Sequence, residues 1–169
     1  RGTRNSKPVT ITSTDYVDPG TNLTVTIKPD TGYVVNNPDE AWTAVDNSDN
    51  HTYTIHNVRA DQTLSADFAA LDKYAISYSV AAVGGSDNGT LTANTVRKNM
   101  AAYTYGLSSG EEVYEGSDLT FTAAPDNGYR VQEWRVNDEV YQESGAAFIG
   151  TQLVLRGVGE EKTVMVQFM

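Results

Sequence analysis

The chain has 169 residues, with 12 Lys and Arg against 22 Asp and Glu and a formal net charge of -10. That length suits one medium domain or two small ones. No apolar stretch approaches the roughly 18–20 residues that span a bilayer, so membrane insertion is not expected. Nor is nucleic acid an expected partner, because its phosphates would meet an acidic surface. Cysteine is absent, which removes disulfides, thiol nucleophiles and Cys-ligated zinc or iron–sulfur sites. Thr occurs 20 times and Val 18 times, against 8 Leu. Side chains branched at Cβ fit a pleated, half-buried surface, so strands are favoured over a helical bundle. The chain opens on Arg1 and reads as a processed or partial chain, so missing targeting signals carry no weight.

In chain order, Arg1-Gly2-Thr3-Arg4-Asn5-Ser6-Lys7-Pro8 is too polar for a core strand and is expected to be irregular. Val9–Thr12 reads as a short strand. Leu23, Val25 and Ile27 alternate with Thr24 and Thr26, the period of a strand with one buried face. Pro29-Asp30-Thr31-Gly32-Tyr33 then turns the chain: Pro presets φ, Asp bonds the nearby backbone and Gly accepts positive φ. Tyr53 with Ile55, and Leu64, Ala66 and Phe68, supply two closing strands. A boundary falls in Ala69–Lys73. Beyond it Tyr74, Ile76, Tyr78 and Val80 alternate as an opening strand, residues 84–89 form a loop, and Leu91 with Ala93 begins a return strand.

Residues 94–112 read as an insertion. Within it Val96, Met100 and Tyr103 carry helical spacing, the one candidate for a short helix. Leu119, Phe121 and Ala123 form the next buried strand face, followed by Pro125-Asp126-Asn127-Gly128-Tyr129. The inward phase slips between Val131 and Trp134, which predicts a bulge at Gln132-Glu133. Asn137-Asp138 is a hairpin turn. Leu153 and Leu155, then Val164, Val166 and Phe168, close the chain.

These elements repeat. At a constant offset of 96, Gly20, Leu23, Thr24, Thr26, Pro29, Asp30, Gly32, Tyr33 and Val35 match Gly116, Leu119, Thr120, Thr122, Pro125, Asp126, Gly128, Tyr129 and Val131. Trp42 and Trp134 follow at an offset of 92. Val58, Thr63 and Phe68 match Val158, Thr163 and Phe168 at an offset of 100. The chain therefore divides into a first module at 1–70, a linker at 71–73 and a second module at 74–169. The first copy has fewer residues before Gly20 than the second has before Gly116, so it lacks an opening strand, the second copy's insertion, or both. If the opening strand is the missing part, the strand that would pair with it becomes an open sheet edge, available to another copy.

Gly116, the Thr-rich strand Leu119–Ala124, Pro125–Tyr129, Trp134, Val136-Asn137 and the closing strand Thr163–Phe168 resemble the divergent internalin-type B-repeat of bacterial surface proteins. The first copy carries the same pattern from Gly20 to Tyr33 and from Tyr53 to Phe68. The resemblance implies an all-β chain with little or no helix, built as two tandem β-grasp-like modules. It also implies an exported, cell-surface or secreted location.

Candidate chemistry is sparse. His51 and His56, five residues apart on a strand, point to opposite faces and cannot share a metal in that geometry. Asp46-Asn47-Ser48-Asp49-Asn50 lacks the central Gly and closing Glu of a calcium loop. Asp30 and Asp126 recur because their turns recur, and they belong to separate modules, so no catalytic pair is expected. No phosphate loop or nucleophile elbow is present in the sequence. No catalytic residue, cofactor or metal is assigned, and the chain is read as a monomer that is not an enzyme. Trp42 and Trp134 occupy matching places, which favours core packing over ligand platforms. Tyr103, Tyr105 and Tyr114 are the candidate binding surface: exposed aromatics at this spacing can stack on sugar rings or anchor a protein. The alternative is that they cover an open end of the second core. Two functions stay open, a spacer or adhesion module contacting a protein partner and a carbohydrate-binding accessory module of a secreted enzyme.

Overall fold

The alternating Thr- and Val-rich segments form strands throughout. The computed structural model describes residues 6–9, 18–36, 43–44, 51–61, 66–96 and 104–169. Among the described residues there is no helix, and the protein is all-β. The chain divides into two compact units, Arg1–Asp72 and Lys73–Met169.

The first unit holds β1 (Ser6–Val9), β2 (Leu23–Ile27), β3 (Tyr33–Asn36), β4 (Thr43–Ala44), β5 (His51–Ile55) and β6 (Ala66–Ala70). They form two sheets, ordered β1-β6-β3 and β2-β5-β4. The second unit begins with β7 (Lys73–Ala81), β8 (Gly89–Val96), β9 (Thr104–Leu107), β10 (Glu111–Tyr114), β11 (Asp118–Pro125) and β12 (Val131–Val136). It continues with β13 (Glu139–Val140), β14 (Gln142–Glu143), β15 (Ala146–Ala147), β16 (Gln152–Leu155) and β17 (Lys162–Phe168). Its main sheets are ordered β10-β7-β17-β12-β13 and β16-β11-β8-β9, with β14 and β15 as a separate hairpin.

At the residues that repeat, the two units share equivalent strand pairs and turn bonds. β2 faces β5 with Leu23 opposite Ile55 and Val25 opposite Tyr53. β11 faces β16 with Leu119 opposite Leu155 and Phe121 opposite Leu153. Val35 lies opposite Phe68, as Val131 lies opposite Phe168. The Gly20 amide donates to the Val58 carbonyl at 2.8 Å, and Gly116 donates to Val158 at 2.7 Å. Tyr33 closes its turn on the Asp30 carbonyl at 3.0 Å, and Tyr129 closes on Asp126 at 2.9 Å. The offsets of 96 and 100 in the sequence are thus offsets of the hydrogen-bond network itself.

A further pair of equivalent turns carries a test. The Asn57 amide donates to Asn22 Oδ1 at 2.9 Å, and the Gly157 amide donates to Asp118 Oδ1 at 2.9 Å. Asn57 and Gly157 both have positive φ, 55° and 62°. Asp118 also meets Arg156 at 3.2 Å, but the Arg156 side chain is 80% exposed, so that ion pair adds little. Asp118→Asn is therefore expected to leave stability nearly unchanged, because the first copy uses Asn at this place. Asp118→Ala should cost about 1 kcal/mol, the net worth of one hydrogen bond. Urea denaturation of the two variants distinguishes the cases: equal losses would show that charge, not the amide acceptor, matters.

In the second unit the two main sheets contribute to a single core. Ile76, Trp134, Val164 and Phe168 come from one sheet and Leu119, Phe121 and Leu153 from the other, each at 1% exposure or less. The Tyr78 and Phe121 rings meet edge to face across the sheets, 5.8 Å apart, and the Tyr78 hydroxyl donates to the Leu107 carbonyl at 2.6 Å. The predicted bulge is present: the register of β12 against β17 shifts between Val131 and Glu133. Asn137 and Asp138 both take positive φ, 52° and 65°, as a tight hairpin turn requires. Residues 94–112, read as an insertion, include the end of β8, all of β9 and the start of β10. They thereby add an outer strand to each sheet. Val96 ends β8, while the rest of the candidate helix lies outside the described residues, as do Trp42 and residues 10–12.

Two expectations need correction. Ser6–Pro8 are not irregular: with Val9 they form a strand that pairs antiparallel with β6, from Ser6 opposite Ala69 to Val9 opposite Ala66. The polarity of this segment disfavours burial of side chains, but an outer strand needs only backbone pairing, and a Pro is tolerated there. Consequently β6 is not an open edge, and pairing of a second copy at that edge is withdrawn. Phe68 is half-buried, whereas Phe168 is fully buried. Among the described residues the buried apolar side chains of the first unit are Ile27 and Ala69, against fourteen in the second core.

Local opening free energy follows buried contact, so amide exchange is expected to be faster over residues 22–28 than over residues 118–124. Slower exchange in the first segment would reverse this ranking.

Candidate functional site

The structure separates the predicted tyrosines. On β9, Leu107 is buried at 4% exposure, and Tyr105, two residues earlier, shares its face. Tyr105 lies opposite Thr95, itself 1% exposed, so it closes the margin of the core and stays half-buried. On β10, Val113 points inward at 1% exposure, which turns the half-buried Tyr114 to the other face. There the Lys73 ammonium sits 5.1 Å from the Tyr114 ring centroid, a cation–π contact. β9 and β10 are the outer strands of different sheets. Tyr105 and Tyr114 are therefore not on one face, and Tyr103 lies outside the described residues.

The other candidates have structural surroundings. Trp134 is 0% exposed, and its indole N–H donates to the Gly150 carbonyl at 2.8 Å. It is a core residue with a satisfied polar handle rather than a ligand platform. Asp30 and Asp126 hold their turns through backbone carbonyls. His51 lies on β5 and is half-buried, and His56 follows the strand and is exposed. Residues 46–50 lie outside the described residues. Among the described residues no group of three or more His, Cys, Asp or Glu is placed to hold a metal ion. No described helix is long and apolar enough to cross a membrane.

Sequence reasoning passed over two exposed apolar places. Gly128, Tyr129, Arg130 and Met169 line a shallow concavity of about 450 Å³. Tyr129 and Met169 are 45% and 52% exposed there. Ile149, at 63%, is the most exposed of the large apolar side chains that stand out on the described surface. It follows Phe148, whose ring packs edge to face on Tyr141 at 5.9 Å. The repeated turn at Tyr129 was readable, but its exposure depends on what packs around it, and no local pattern encodes that.

The family model for the divergent InlB B-repeat domain matches residues 4–72 and 79–151. No curated protein and no solved structure matches the chain. The family is associated with repeat modules of bacterial surface or secreted proteins. The tandem matches fall on two units that share equivalent turns and strand pairs at their repeated residues, and the chain accordingly belongs to the divergent InlB B-repeat family, in two copies.

Proposed function

We propose that this chain is a non-enzymatic module of an exported bacterial cell-surface protein, serving as a spacer that holds an adhesive or protein-binding segment away from the envelope. The observation that supports this reading is the use made of the residues the two copies share. Gly20 and Gly116, the two Pro-Asp-x-Gly-Tyr turns, and Val58 and Val158 set backbone bonds and strand register. The shared residues thus build a repeatable framework, which is what a spacer needs from each copy.

The test places the chain between a membrane anchor and an epitope on the surface of a bacterial cell. Antibody access to the epitope should exceed that of a direct fusion. Equal access, or turnover by the purified chain on a panel of glycans and esters, would overturn the proposal. Glycan binding that disappears in Tyr105→Ala or Tyr114→Ala would instead favour a carbohydrate-binding accessory module.

A further inference from the structure

We infer that residues 73–169 are built to bear tension in shear, and that residues 1–72 yield first when the chain is stretched from its ends. The inference rests on the spacer reading, because a spacer transmits whatever force its ends experience. β7 opens the second unit and β17 closes it, and they are parallel neighbours from Ile76 opposite Lys162 to Ala81 opposite Gln167. In a parallel pair the start of one strand and the end of the other lie at opposite ends of the ladder. Tension entering at Lys73 and leaving at Met169 therefore drags β7 and β17 past each other along their own axes. The evenly spaced bonds of that ladder are loaded together rather than in turn.

Two further features reinforce the ladder. Both strands are internal, with β10 beyond β7 and β12 beyond β17. Ile76, Val164, Val166 and Phe168 on these strands are all 0% exposed. A dry flank denies water the chance to replace a stretched hydrogen bond.

The first unit has the opposite geometry. β1 opens it and β6 closes it, but they are antiparallel, with Ser6 opposite Ala69 and Val9 opposite Ala66. Tension entering before Ser6 and leaving after Ala70 pulls both strands from the same end. That ladder opens pair by pair, so the resisting force is that of the bonds at its end alone. One repeat framework thus yields two mechanical responses, set by the direction of the strand that fills one place in the sheet.

Force spectroscopy on the full chain tests this, since forced unfolding reads the unfolding barrier rather than equilibrium stability. End-to-end stretching should give an early event releasing roughly 245 Å of extended chain and a later, higher-force event releasing roughly 330 Å, the lengths of residues 1–72 and 73–169. The chain has no Cys, so attachment points can be chosen. Asp72, Ala82 and Met169 are exposed, so a Cys at each is accessible to a tether. Asp72→Cys with Met169→Cys loads the β7–β17 ladder in shear, whereas Ala82→Cys with Met169→Cys peels the same ladder from one end. At one loading rate and matched melting temperatures, the shear pair should unfold at several-fold higher force. Equal forces in the two geometries, or a 330 Å event preceding the shorter one, would overturn the inference. Either result leaves epitope access on the cell unchanged, so a failed shear response and a failed spacer are separate outcomes.

Discussion

Trp134→Ala is expected to destabilise residues 73–169 by about 3–5 kcal/mol, a large share of the 5–15 kcal/mol typical of a whole domain. Trp134 is 0% exposed on β12, directly opposite Val166, which is equally buried. Truncation would leave a cavity that β-sheet neighbours cannot close, because their backbones are fixed by the ladder on both sides. It would also strip the Gly150 carbonyl of its indole donor, now at 2.8 Å. Trp134→Phe separates the two contributions, since it keeps most of the packing and removes the donor. The phenylalanine variant should lose less than half as much as the alanine variant. A thermal transition of the second unit that does not move in Trp134→Ala would remove Trp134 from the core.

Gly89→Ala is expected to cost about 1–3 kcal/mol, the usual range for overpacking a tight site. A Cβ at Gly89 would stand 2.7 Å from the Ala124 carbonyl oxygen and 2.7 Å from Cε2 of Phe168. Neither neighbour can retreat cheaply. Ala124 is backbone within β11, and Phe168 is 0% exposed. Gly159 is the control, since nothing lies within 4 Å of a Cβ placed there. Gly159→Ala should change the urea midpoint little. Adding Phe168→Leu to Gly89→Ala should give a combined loss smaller than the sum of the two, because shrinking the ring removes part of the clash. Strict additivity would mean that the Gly89 cost does not run through Phe168.

Much of the framework was legible in the residues because its causes are local. Leu119, Phe121 and Ala123 alternate with Thr120, Thr122 and Ala124, and that period alone selects a strand with one inward face; all three are buried. The Pro-Asp-x-Gly-Tyr turns need a preset φ and a residue free to take positive φ, and Gly32 and Gly128 have φ of 86° and 90°. The bulge in β12 was visible as a slip of the inward phase between Val131 and Trp134. In each case the controlling interaction spans a few residues, so it leaves a mark on the sequence.

The candidate site was less legible. Tyr105 and Tyr114 are close in sequence, but the chain crosses from one sheet to the other between them. Near Gly110, whose amide donates to the Ile76 carbonyl at 2.8 Å, it leaves β9 for a place beside β7. Which sheet a short strand joins depends on the edge that is free to receive it, not on its own composition. The same holds for β1, whose polar residues Ser6 and Lys7 and whose Pro8 gave no reason to begin a strand before Val9. Its backbone meets the N–H and C=O groups of β6, and such groups pair with any chain that reaches them.

What the sequence by itself determined was the period of the core strands, the turns that repeat between them and the twofold repetition of the pattern, because side-chain alternation and turn chemistry act over short distances. Only the tertiary structure decided the neighbour and the direction of the strand that opens each unit: β7 running parallel to β17, and β1 running antiparallel to β6. Backbone hydrogen bonds form in either direction, so that choice rests on which segment the rest of the fold delivers to the place beside the closing strand.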